Sequence, residues 1–357
     1  MPSNTPETAK SFAKLPHYLV VGAGLNGASL AWHLTAAGHR VTLIDRAAPA
    51  AAGSSSHGSA RIFRASYADE KYARLTLESL PWWRKLEDIS GQKLLNFTGH
   101  IEHGSAAELG ALAVVLSRAG VPHELIEVAE ASERWPQYLL EGEHVLWQPQ
   151  GGVLDAAATV HALIAAAQAT GLLELYLDTE IERITQTATQ AVAYTASGAV
   201  FKADHAVVAA GSWLPRELLA RIDFTLPTPQ FTVREVLALH FAYREGYSDF
   251  PTIIHRRGNI PAYALPGGAD VNGAALKFAF HGGRPRQEAL DYVAKYIPGV
   301  APEAFGETLC NYTQTPDEEF FIETDRNITL FSACSGHAAK FAPLLGRLLF
   351  ERGLLGR

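Results

Sequence analysis

The sequence predicts an α/β protein of two interleaved domains, one built on a parallel sheet and one an α+β unit with a mixed or antiparallel sheet. Residues 17–45 show a short apolar strand, a glycine-rich turn, a helix and a second strand, which is a βαβ pattern. The chain has 357 residues, a length that suggests about two domains. Residues 181–210 alternate between apolar and polar side chains, as strands do, and residues 221–282 contain several strand-like runs.

The composition argues against several classes of protein. The net charge of −7 disfavours a general nucleic-acid-binding surface, which needs a basic patch. No apolar run approaches the ~18 residues of a membrane helix, and the polar first sixteen residues contain no apolar core of a secretory signal. We expect no membrane partner, a cytoplasmic location and a short disordered lead before residue 17. Cys310 and Cys334, the two cysteines, have no metal-ligand spacing, so we expect no metal site and a reducing compartment.

The βαβ unit carries a glycine motif between its first strand and its helix. Its predicted strand, helix and second strand occupy residues 17–21, 28–37 and 40–44. Gly22, Gly24 and Gly27 match G-x-G-x-x-G. The first glycine permits a tight turn, the second lets the backbone approach a pyrophosphate, and the third lets the helix pack closely on the strand. The helix N-terminus directs N–H groups and partial positive charge at the phosphates, so the motif predicts a dinucleotide site.

The choice between NAD and FAD depends on the residues after this motif. Asp45 ends the second strand, where a carboxylate can accept hydrogen bonds from ribose hydroxyls. A nicotinamide enzyme usually completes a doubly wound sheet within the first 150 residues. Here a long polar loop at 53–61 comes next instead, the sheet is expected to resume only near Ala206, and no second G-x-G-x-x-G supplies an NAD(P)H site. Such a loop suits an extended cofactor, so the sequence favours FAD.

The expected fold is therefore a Rossmann-like FAD-binding domain interleaved with an α+β substrate domain. The FAD-binding domain is expected at 1–80, 151–220 and 306–357, and the substrate domain at 81–150 and 221–305. Further helices are expected at 70–88 with a break at Pro81, and at 108–119, 156–169, 287–296 and from 343. Further strands are expected at 172–177, 206–210, 232–241, 262–265, 274–281, 308–313 and 328–333, with a meander over 181–210.

Lys277 lies inside the otherwise apolar stretch 275–281. Side chains alternate along a strand, so Lys277 and His281 share one face, and Leu276 and Phe278 take the other. A lysine in a buried strand costs free energy unless it is paired or functional. The pattern leaves three interpretations open: a solvent-facing edge position, a paired core lysine, or a functional cation.

Five separated segments carry a family resemblance. They are residues 56–64 (SHGSARIFR), 151–154 (GGVL), 209–213 (AAGSW), 309–313 (LCNYT) and 335–341 (SGHAAKF). In this order they resemble the monomeric sarcosine oxidase and N-methyltryptophan oxidase family, within the glycine/D-amino-acid oxidase superfamily of flavoenzymes. The resemblance implies oxidation of the C–N bond of a small amino acid, a secondary or N-methyl amine, to an imine, with O2 reduced to hydrogen peroxide.

The resemblance also implies roles for residues around the substrate. It places Lys277 above the flavin, where its cation stabilises superoxide formed from O2. Arg64 and Lys340 match the positions that bind the substrate carboxylate, for which arginine offers a bidentate fork and lysine a point charge. His281 is the candidate for tuning the protonation of the amine. Tyr263 and Tyr312 match pocket-lining tyrosines.

The cofactor contacts are implied by the same motifs. Cys310 matches the position of a thioether to the flavin 8α carbon; a buried cysteine that acts as a small hydrophobe is the alternative, and Cys334 is expected only to pack. Arg61 is expected near the flavin ring, and His57 is expected to shape the same loop. The remaining expected contacts are Leu25, Asn26, Arg46, Ser56, Ala210, Gly211, Trp213, Gly336, His337 and Lys340.

Several points stay open at the level of sequence. Residues 266–277 contain extra glycine-rich sequence relative to the family pattern and border the pocket, so the substrate need not be sarcosine. The partners expected are a small amino-acid substrate and O2, and a monomer is expected. One alternative function is a dehydrogenase of the same fold that passes electrons to a quinone or a protein. The other is a flavin-dependent hydroxylase or a non-catalytic flavin-binding protein.

Overall fold

The computed structural model describes residues 15–256, 261–332 and 334–351. The strands in chain order are β1 (His17–Val21), β2 (Arg40–Ile44), β3 (Arg61–Phe63), β4 (Leu95–Asn96), β5 (His100–His103), β6 (Glu124–Glu127), β7 (His144–Gln148), β8 (Gly152–Leu154), β9 (Leu173–Tyr176), β10 (Ile181–Gln186), β11 (Ala191–Thr195), β12 (Val200–Ala203), β13 (His205–Val208), β14 (Thr232–Tyr243), β15 (Thr252–His255), β16 (Ala262–Gly267), β17 (Ala275–Phe280), β18 (Val300–Gln314), β19 (Phe321–Asp325) and β20 (Ile328–Ser332). The helices are α1 (Leu25–Ala36), α2 (Glu70–Ser90), α3 (Ala106–Ala119), α4 (Val128–Arg134), α5 (Ala156–Gln168), α6 (Arg286–Tyr296) and α7 (Ala342–Leu349). Short helical turns lie at Leu214–Leu218, Leu219–Arg221, Ala269–Val271 and Ala338–Phe341.

A six-stranded sheet with the order β19-β20-β13-β1-β2-β9 contains the predicted βαβ unit. Its central strands pair in parallel, and only β19 runs antiparallel at one edge. Strands β1 and β13 are short apolar runs, as expected for parallel strands that are covered on both faces. This sheet confirms the Rossmann-like part of the predicted fold.

Helix α1 packs on this sheet and fixes where the glycine turn points. It contacts α5 and α7, and Leu30 and Leu34 are buried with Leu163 and Leu345 in one apolar core. The approach of α7 is close, because a Cβ atom at Gly346 would lie 2.3 Å from the carbonyl oxygen of Ser29. The N-terminus of α1 is thereby held at the carboxyl end of β1, which is where open α/β sheets bind ligands.

An eight-stranded sheet with the order β18-β14-β17-β16-β15-β5-β7-β6 forms the second large layer. Only β5 and β15 pair in parallel, so the sheet is mixed, as predicted. Leu276 and Phe278 face the core made with Val293 of α6. Because side chains alternate along β17, Lys277 points to the opposite face.

Two small sheets complete the strand pairing. The meander predicted over 181–210 is an antiparallel sheet with the order β10-β11-β12, followed by β13. The other has the order β3-β8-β4 and carries Arg61 on its first strand. The parallel sheet draws its strands from 17–44, 173–208 and 321–332, and the mixed sheet draws its strands from 100–148 and 232–314. The division into two domains stays a prediction.

Several predicted bounds need correction. Helix α1 begins at Leu25 rather than at residue 28, because the last residues of the glycine motif form its first turn. Strand β18 is longer than the predicted 308–313, since it pairs with β14 along most of its length. The short strands β3 to β8 and β15 carry too few residues to show a period in the sequence and were not predicted. Residues 1–14 and Ala333, at the end of a predicted strand, lie outside the described residues.

Two further predictions are wrong. Helix α2 runs through Pro81 without a break. Pro81 faces solvent, and on either side of it the buried Ser79 and Trp83 both donate to the carbonyl oxygen of Lys340, so packing holds the helix in line. The parallel sheet resumes at Leu173 rather than near Ala206, because α5 returns the chain so that β9 pairs with β2.

The described helices include none that is both long enough and apolar enough to span a membrane.

Candidate active site

A cavity of about 890 Å³ lies between the two large sheets and is lined by residues from both. From the parallel sheet it takes Val21, Ile44 and Ala209, at or just beyond the carboxyl ends of β1, β2 and β13. From the mixed sheet it takes Tyr263, Lys277 and Cys310. The glycine motif and the catalytic candidates therefore share one space.

Glycine residues let backbone segments pack closely around the turn at one end of the cavity. Gly22 has a φ of +104°, and a Cβ atom there would lie 2.5 Å from the carbonyl oxygen of Ala209. A Cβ atom at Gly27 would lie 1.8 Å from the carbonyl oxygen of Gly22, so Gly27 lets α1 pack on the turn. Gly24 precedes α1 and gives the helix no side-chain cap, which leaves helix N–H groups facing the cavity.

Asp45 and Ser56 border this turn. Asp45 accepts hydrogen bonds from the backbone N–H groups of Ala23 at 2.6 Å and Ala47 at 3.0 Å. Burial raises the pKa of Asp45, although these hydrogen bonds oppose the rise. Ser56 Oγ accepts from the N–H of Leu25 at 3.0 Å, which ties the 53–61 loop to the start of α1.

Ala210, Gly211, Trp213 and Arg46 line the cavity next to the glycine turn. Arg46 lies 5.4 Å above the ring of Trp213 and donates to Glu217 at 2.8 Å. These contacts place an aromatic ring and a guanidinium group side by side near the glycine turn.

Two buried polar atoms in the cavity wall support the fit of a polar cofactor. Ser54 Oγ and Asn311 Oδ1 have no hydrogen-bond partner among the described residues, and both residues line the cavity. Buried polar groups in native proteins are nearly always hydrogen-bonded, so unpaired groups of this kind indicate a ligand or water. Together with the glycine cradle and Asp45, the donors and acceptors suit the pyrophosphate, ribose and ring system of FAD.

Cys310 sits in a basic environment at the cavity wall. Its Sγ atom is 3.8 Å from His57 Nε2 and 3.8 Å from Arg61 Nη2. Burial alone would raise the pKa of the thiol, but the contact with His57 and the charges of Arg61 and Lys277 lower it to about 7. A thiol of this kind is partly thiolate at neutral pH and is therefore nucleophilic.

Lys277 is an ion-paired lysine inside the cavity, with 3% of its side chain exposed. Its Nζ atom lies 3.5 Å from Asp270 Oδ2, and Asp270 Oδ1 accepts from the N–H of Ser59 at 2.7 Å. Burial and the charge of Arg61 lower the pKa of Lys277, whereas Asp270 and Cys310 oppose that shift. The solvent-facing interpretation of Lys277 is wrong.

Arg64 is held by a buried carboxylate that it shares with a second arginine. Glu102, whose side chain has no exposed surface, lies 3.7 Å from Arg64 Nη1 through Oε1 and accepts from Arg256 Nε at 2.7 Å through Oε2. His100 Nε2, at 3.1 Å, and the hydroxyl of Ser66 also contact Oε1. Burial would raise the pKa of Glu102, but His100 and the two arginines lower it to about 2.

Lys340 and Arg64 both lie against the ring of Tyr67 in the same part of the cavity. The Nζ atom of Lys340 donates to the carbonyl oxygen of His337 at 2.8 Å and lies 5.3 Å from the centre of that ring. The guanidinium carbon of Arg64 lies 4.8 Å from the same centre. Burial and the charge of Arg64 bring the pKa of Lys340 well below its ordinary value. With Lys340 protonated, the two side chains present a concentrated positive charge. Among the described residues, Glu102 is the one carboxylate within ion-pair distance of either of them.

His281 and Tyr312 stack beside these cations, with ring centres 5.9 Å apart and an angle of 22° between the planes. Gly336 has a φ of +72°, and a Cβ atom there would lie 3.3 Å from both rings. Burial, together with the charges of Arg64 and Lys340, lowers the pKa of His281, so the imidazole is neutral at neutral pH. Burial raises the pKa of the Tyr263 hydroxyl, which stays protonated.

The structure brings nearly all predicted site residues to this cavity. The lining includes the candidates Gly22, Gly24, Leu25, Asn26, Asp45, Arg46, Ser56, Arg61, Arg64, Ala210, Gly211, Trp213, Tyr263, Lys277, His281, Cys310, Tyr312, Gly336, His337 and Lys340. Gly27 and His57 stand behind the wall, the first under the glycine turn and the second against Cys310. Their roles as cofactor or substrate contacts stay predictions.

Sequence reasoning missed three charged residues of this site: Asp270, Glu102 and Arg256. Asp270 lies in the glycine-rich segment 266–277, and an acid so close to a buried lysine was a usable signal. Glu102 and His100 share one buried face of β5, but the strand is too short for its alternation to be recognised in the sequence.

Comparisons with known proteins agree with this geometry. Residues 17–352 match the model of a family described as FAD dependent oxidoreductase (DAO). The monomeric sarcosine oxidase of Bacillus sp. (strain B-0618) is 27% identical over an alignment of length 367. That alignment covers 95% of this chain and 92% of the sarcosine oxidase. The N-methyl-L-tryptophan oxidase of Yersinia pestis (strain Pestoides F) is 30% identical over 357 residues and 92% of each chain. The structure of NikD, an unusual amino acid oxidase essential for nikkomycin biosynthesis, aligns with this chain with a TM-score of 0.80 at 23% identity. The alignment covers 93% of this chain and 92% of NikD, so the similarity is one of fold.

Proposed function

This chain belongs to the family of FAD-dependent oxidoreductases, and on that premise we propose that it oxidises the C–N bond of a small secondary or N-methyl amino acid to an imine, with O2 as electron acceptor. One observation carries the proposal: a single cavity brings the cations Arg64, Lys340 and Lys277 together with a neutral His281 beside the glycine turn. The relatives named for sarcosine and N-methyl-L-tryptophan support the substrate class.

The cofactor is FAD. The turn at Gly22 and Gly24 and the N-terminus of α1 suit its pyrophosphate, and Asp45 suits a ribose. When bound, FAD supplies the acceptor for two electrons from the amine and returns them to the second substrate.

Arg64 and Lys340 bind the substrate carboxylate. Glu102 holds the guanidinium of Arg64 from behind, while the hydrogen bond to the carbonyl oxygen of His337 holds the ammonium of Lys340. A carboxylate between them gains charge-assisted hydrogen bonds in a site that largely excludes water. Such binding fixes the orientation of the Cα–N bond.

His281 tunes the protonation of the substrate amine, because its own imidazole stays neutral beside the amine. Its pKa lies below the ordinary value, because burial and the nearby cations disfavour a second positive charge. The neighbouring cations likewise favour a neutral amine in the cavity. The amine then loses two electrons and two protons to become an imine. O2 takes up the two electrons and the two protons to become hydrogen peroxide. Water hydrolyses the imine to an amine and a carbonyl compound.

Lys277 serves the oxygen half of this reaction. Its ammonium group, 3% exposed and directed into the cavity, stabilises the negative charge that develops on O2 during reduction. Lys277 lies on β17, apart in the fold from the segments that carry Arg64 and Lys340, so the two half-reactions use different cations.

Cys310 is the point of covalent attachment in this proposal. Bound FAD would be held by a thioether between the sulfur of Cys310, whose thiolate form His57 and Arg61 favour, and the 8α carbon of the flavin. The new C–S bond replaces one S–H and one C–H bond, and the two electrons and two protons released reduce one O2 to hydrogen peroxide.

A substrate screen under two atmospheres tests the function. N-methyl amino acids, pipecolate, proline and D-amino acids are added to the purified flavoprotein without oxygen, and bleaching of the flavin absorbance is followed. Air is then admitted, and peroxide is assayed with a coupled peroxidase. We expect bleaching by secondary amines and one peroxide per turnover. Bleaching that air does not reverse would identify a dehydrogenase, and absence of bleaching with every amine would identify a flavin-binding protein without this activity.

A further inference from the structure

The hairpin loop between β16 and β17 supplies the one carboxylate within ion-pair distance of Lys277 among the described residues. Asp270 lies in a helical turn, Ala269–Val271, inside the glycine-rich segment. Its side chain is 7% exposed and that of Lys277 is 3% exposed, so the pair is nearly removed from water. A buried ion pair is a strong structural constraint, because loss of either partner leaves an uncompensated charge.

The two carboxylate oxygens of Asp270 have different partners. Oδ1 accepts from the N–H of Ser59 at 2.7 Å and also from its hydroxyl, while Oδ2 lies 3.5 Å from Nζ of Lys277. Asp270 therefore connects the loop that carries Arg61 and Ser56 with the strand that carries Lys277.

The loops are shaped for this contact. Gly58 has a φ of +83°, and a Cβ atom there would lie 2.8 Å from Oδ2 of Asp270. Gly268 has a φ of +114°, and a Cβ atom there would lie 1.7 Å from the carbonyl oxygen of Gly273. Only glycine at both positions permits the hairpin to close and the carboxylate to approach the 53–61 loop.

The other charged or titratable groups near Lys277 come from three further elements. The charge of Arg61 on β3 lowers the pKa of Lys277, and Cys310 on β18 raises that pKa when it is a thiolate. His240 on β14, opposite Lys277 in the sheet register, is kept neutral because burial and the charge of Lys277 lower its pKa to about 4. Asp155, which directly precedes α5, interacts electrostatically with Asp270 and with Arg61. A thioether at Cys310 removes the thiolate charge, which leaves Asp270 as the nearby anion.

We propose that Asp270 is a positioning residue for Lys277, which holds its ammonium group in the cavity and supplies the countercharge that keeps it protonated. The significance of this role for oxygen reduction rests on the proposed function of Lys277. The role itself concerns only the ion pair and can be measured without turnover.

The first test reads the protonation of Lys277 directly. The protein is labelled with 13Cε-lysine, and the Lys277 resonance is assigned by its loss in Lys277→Met. The pH titration of that resonance is compared between the wild type, Asp270→Asn and Asp270→Glu. We expect Asp270→Asn to move the midpoint to lower pH by about one unit or more, and Asp270→Glu to restore most of it. A midpoint in Asp270→Asn equal to that of the wild type would overturn the proposal.

The second test follows the oxygen half-reaction by stopped flow. Asp270→Asn is expected to lose at least about tenfold in reoxidation rate between pH 6 and pH 9, since only protonated Lys277 is active, while the wild-type rate stays flat over that range. The rate of anaerobic flavin reduction is expected to change less than about threefold. Ser59→Ala, which removes an anchor but keeps the charge, is expected to lie between the two proteins. A loss in Asp270→Asn that is the same at every pH would contradict the role.

The variant Lys277→Met separates this inference from the proposed function. If Lys277 drives reoxidation, the double variant Asp270→Asn/Lys277→Met reoxidises no more slowly than Lys277→Met alone. If Lys277→Met reoxidises as fast as the wild type, the proposal that Lys277 activates oxygen is wrong. The titration of the Lys277 resonance in Asp270→Asn still tests whether Asp270 keeps Lys277 protonated. Should Asp270→Asn fail to fold, Ser59→Ala, which frees the Asp270 carboxylate from a side-chain anchor, is compared with the wild type; a smaller shift of the Lys277 midpoint to lower pH is expected, and an unchanged midpoint would overturn the proposal.

Discussion

The Nη1 atom of Arg64 lies 3.7 Å from Oε1 of Glu102, a carboxylate whose side chain has no surface in contact with solvent. The second oxygen of Glu102 accepts from Arg256 at 2.7 Å, so one negative charge is shared by two guanidinium groups. This leaves a surplus positive charge on the cavity wall where the substrate carboxylate is proposed to bind.

Removal of the Glu102 charge should destabilise the protein. In Glu102→Gln both arginines lose their buried ionic partner, and breaking a buried ion pair typically costs about 3 kcal/mol or more. The measurement is the free energy of unfolding from denaturant titration at pH 7. The control is Glu182→Gln at an exposed position of β10, for which we expect a change within about 0.5 kcal/mol. Equal stabilities of the two variants would contradict a structural role for Glu102.

The same carboxylate gives stability a pH dependence of known sign. The pKa of Glu102 is lowered from its ordinary 4.5 to about 2 in the folded protein. The stabilisation is therefore complete above about pH 4.5 and is lost as the pH falls toward 2. We expect the wild type to lose more stability than Glu102→Gln across this window, as measured by unfolding at pH 5 and pH 3. Parallel losses in the two proteins would show that other carboxyl groups dominate acid unfolding.

Substrate affinity should depend on Arg64, Lys340 and pH. Arg64→Lys loses the bidentate fork, so we expect KM for an N-methyl amino acid to rise about tenfold or more, with a smaller change in kcat. Burial and Arg64 lower the pKa of Lys340, and only its protonated form attracts the carboxylate, so KM should rise as the pH passes that pKa.

Steady-state kinetics from pH 6 to pH 10 measure this dependence. Lys340→Met should raise KM and flatten its pH profile. A matched control is the methyl ester of the same substrate, which has no carboxylate and should be handled equally by the wild type and both variants. If the variants weakened the acid and the ester by the same factor, the assignment of the carboxylate site would be wrong.

The cavity was predictable from the sequence where its wall is built from contiguous motifs. Residues 56–64 place Arg61 and Arg64 on the wall, and residues 335–341 place Gly336 and Lys340 there. The Glu102–Arg256 pair depends instead on the pairing of β5 with β15, two four-residue strands about 150 residues apart in the chain. A strand this short shows too little alternation to be recognised, and its register is set only by packing in the complete sheet. The continuous path of α2 through Pro81 has the same origin, since Ser79 and Trp83 are held by the distant Lys340 backbone.

Attachment of the cofactor should require Cys310 and depend on its basic neighbours. In Cys310→Ser we expect flavin to be released by acid precipitation, whereas the wild type should keep a fluorescent band on a denaturing gel. His57→Asn should slow attachment after FAD is added to apoprotein, because His57 lowers the pKa of the thiol. Cys334→Ser is the control, since burial raises the pKa of Cys334 and the contact of His57 is with Cys310. Flavin that stays bound to denatured Cys310→Ser would place the linkage elsewhere.

Lys277 should affect the oxygen half-reaction more than the amine half-reaction. Lys277→Met removes the buried cation with little change in volume, so we expect reoxidation by O2 to slow by at least about a hundredfold, and anaerobic reduction by substrate by less than about tenfold. Stopped-flow absorbance of the flavin measures both rates. Lys202→Met, at an exposed position on β12, is the control and should leave both unchanged. A loss of the same size in both half-reactions would show that Lys277 acts on the substrate or on folding instead.

Substitution of Gly27 in α1 should reduce stability and FAD affinity far more than substitution of Gly110, a glycine inside α3. A Cβ atom at Gly27 would lie 1.8 Å from the carbonyl oxygen of Gly22, so Gly27→Ala must push α1 away from the glycine turn. We expect a loss of stability of about 2 kcal/mol or more and a weaker affinity of apoprotein for FAD, because the helix N-terminus moves from the pyrophosphate position. Gly110 in α3 provides the matched comparison, since no atom lies within 4 Å of a Cβ built there. Gly110→Ala should raise the free energy of unfolding by up to about 1 kcal/mol and leave FAD binding unchanged. Titration of FAD into both apoproteins, with flavin fluorescence as the signal, decides the matter: equal affinities would mean that contact between α1 and the turn does not position the cofactor.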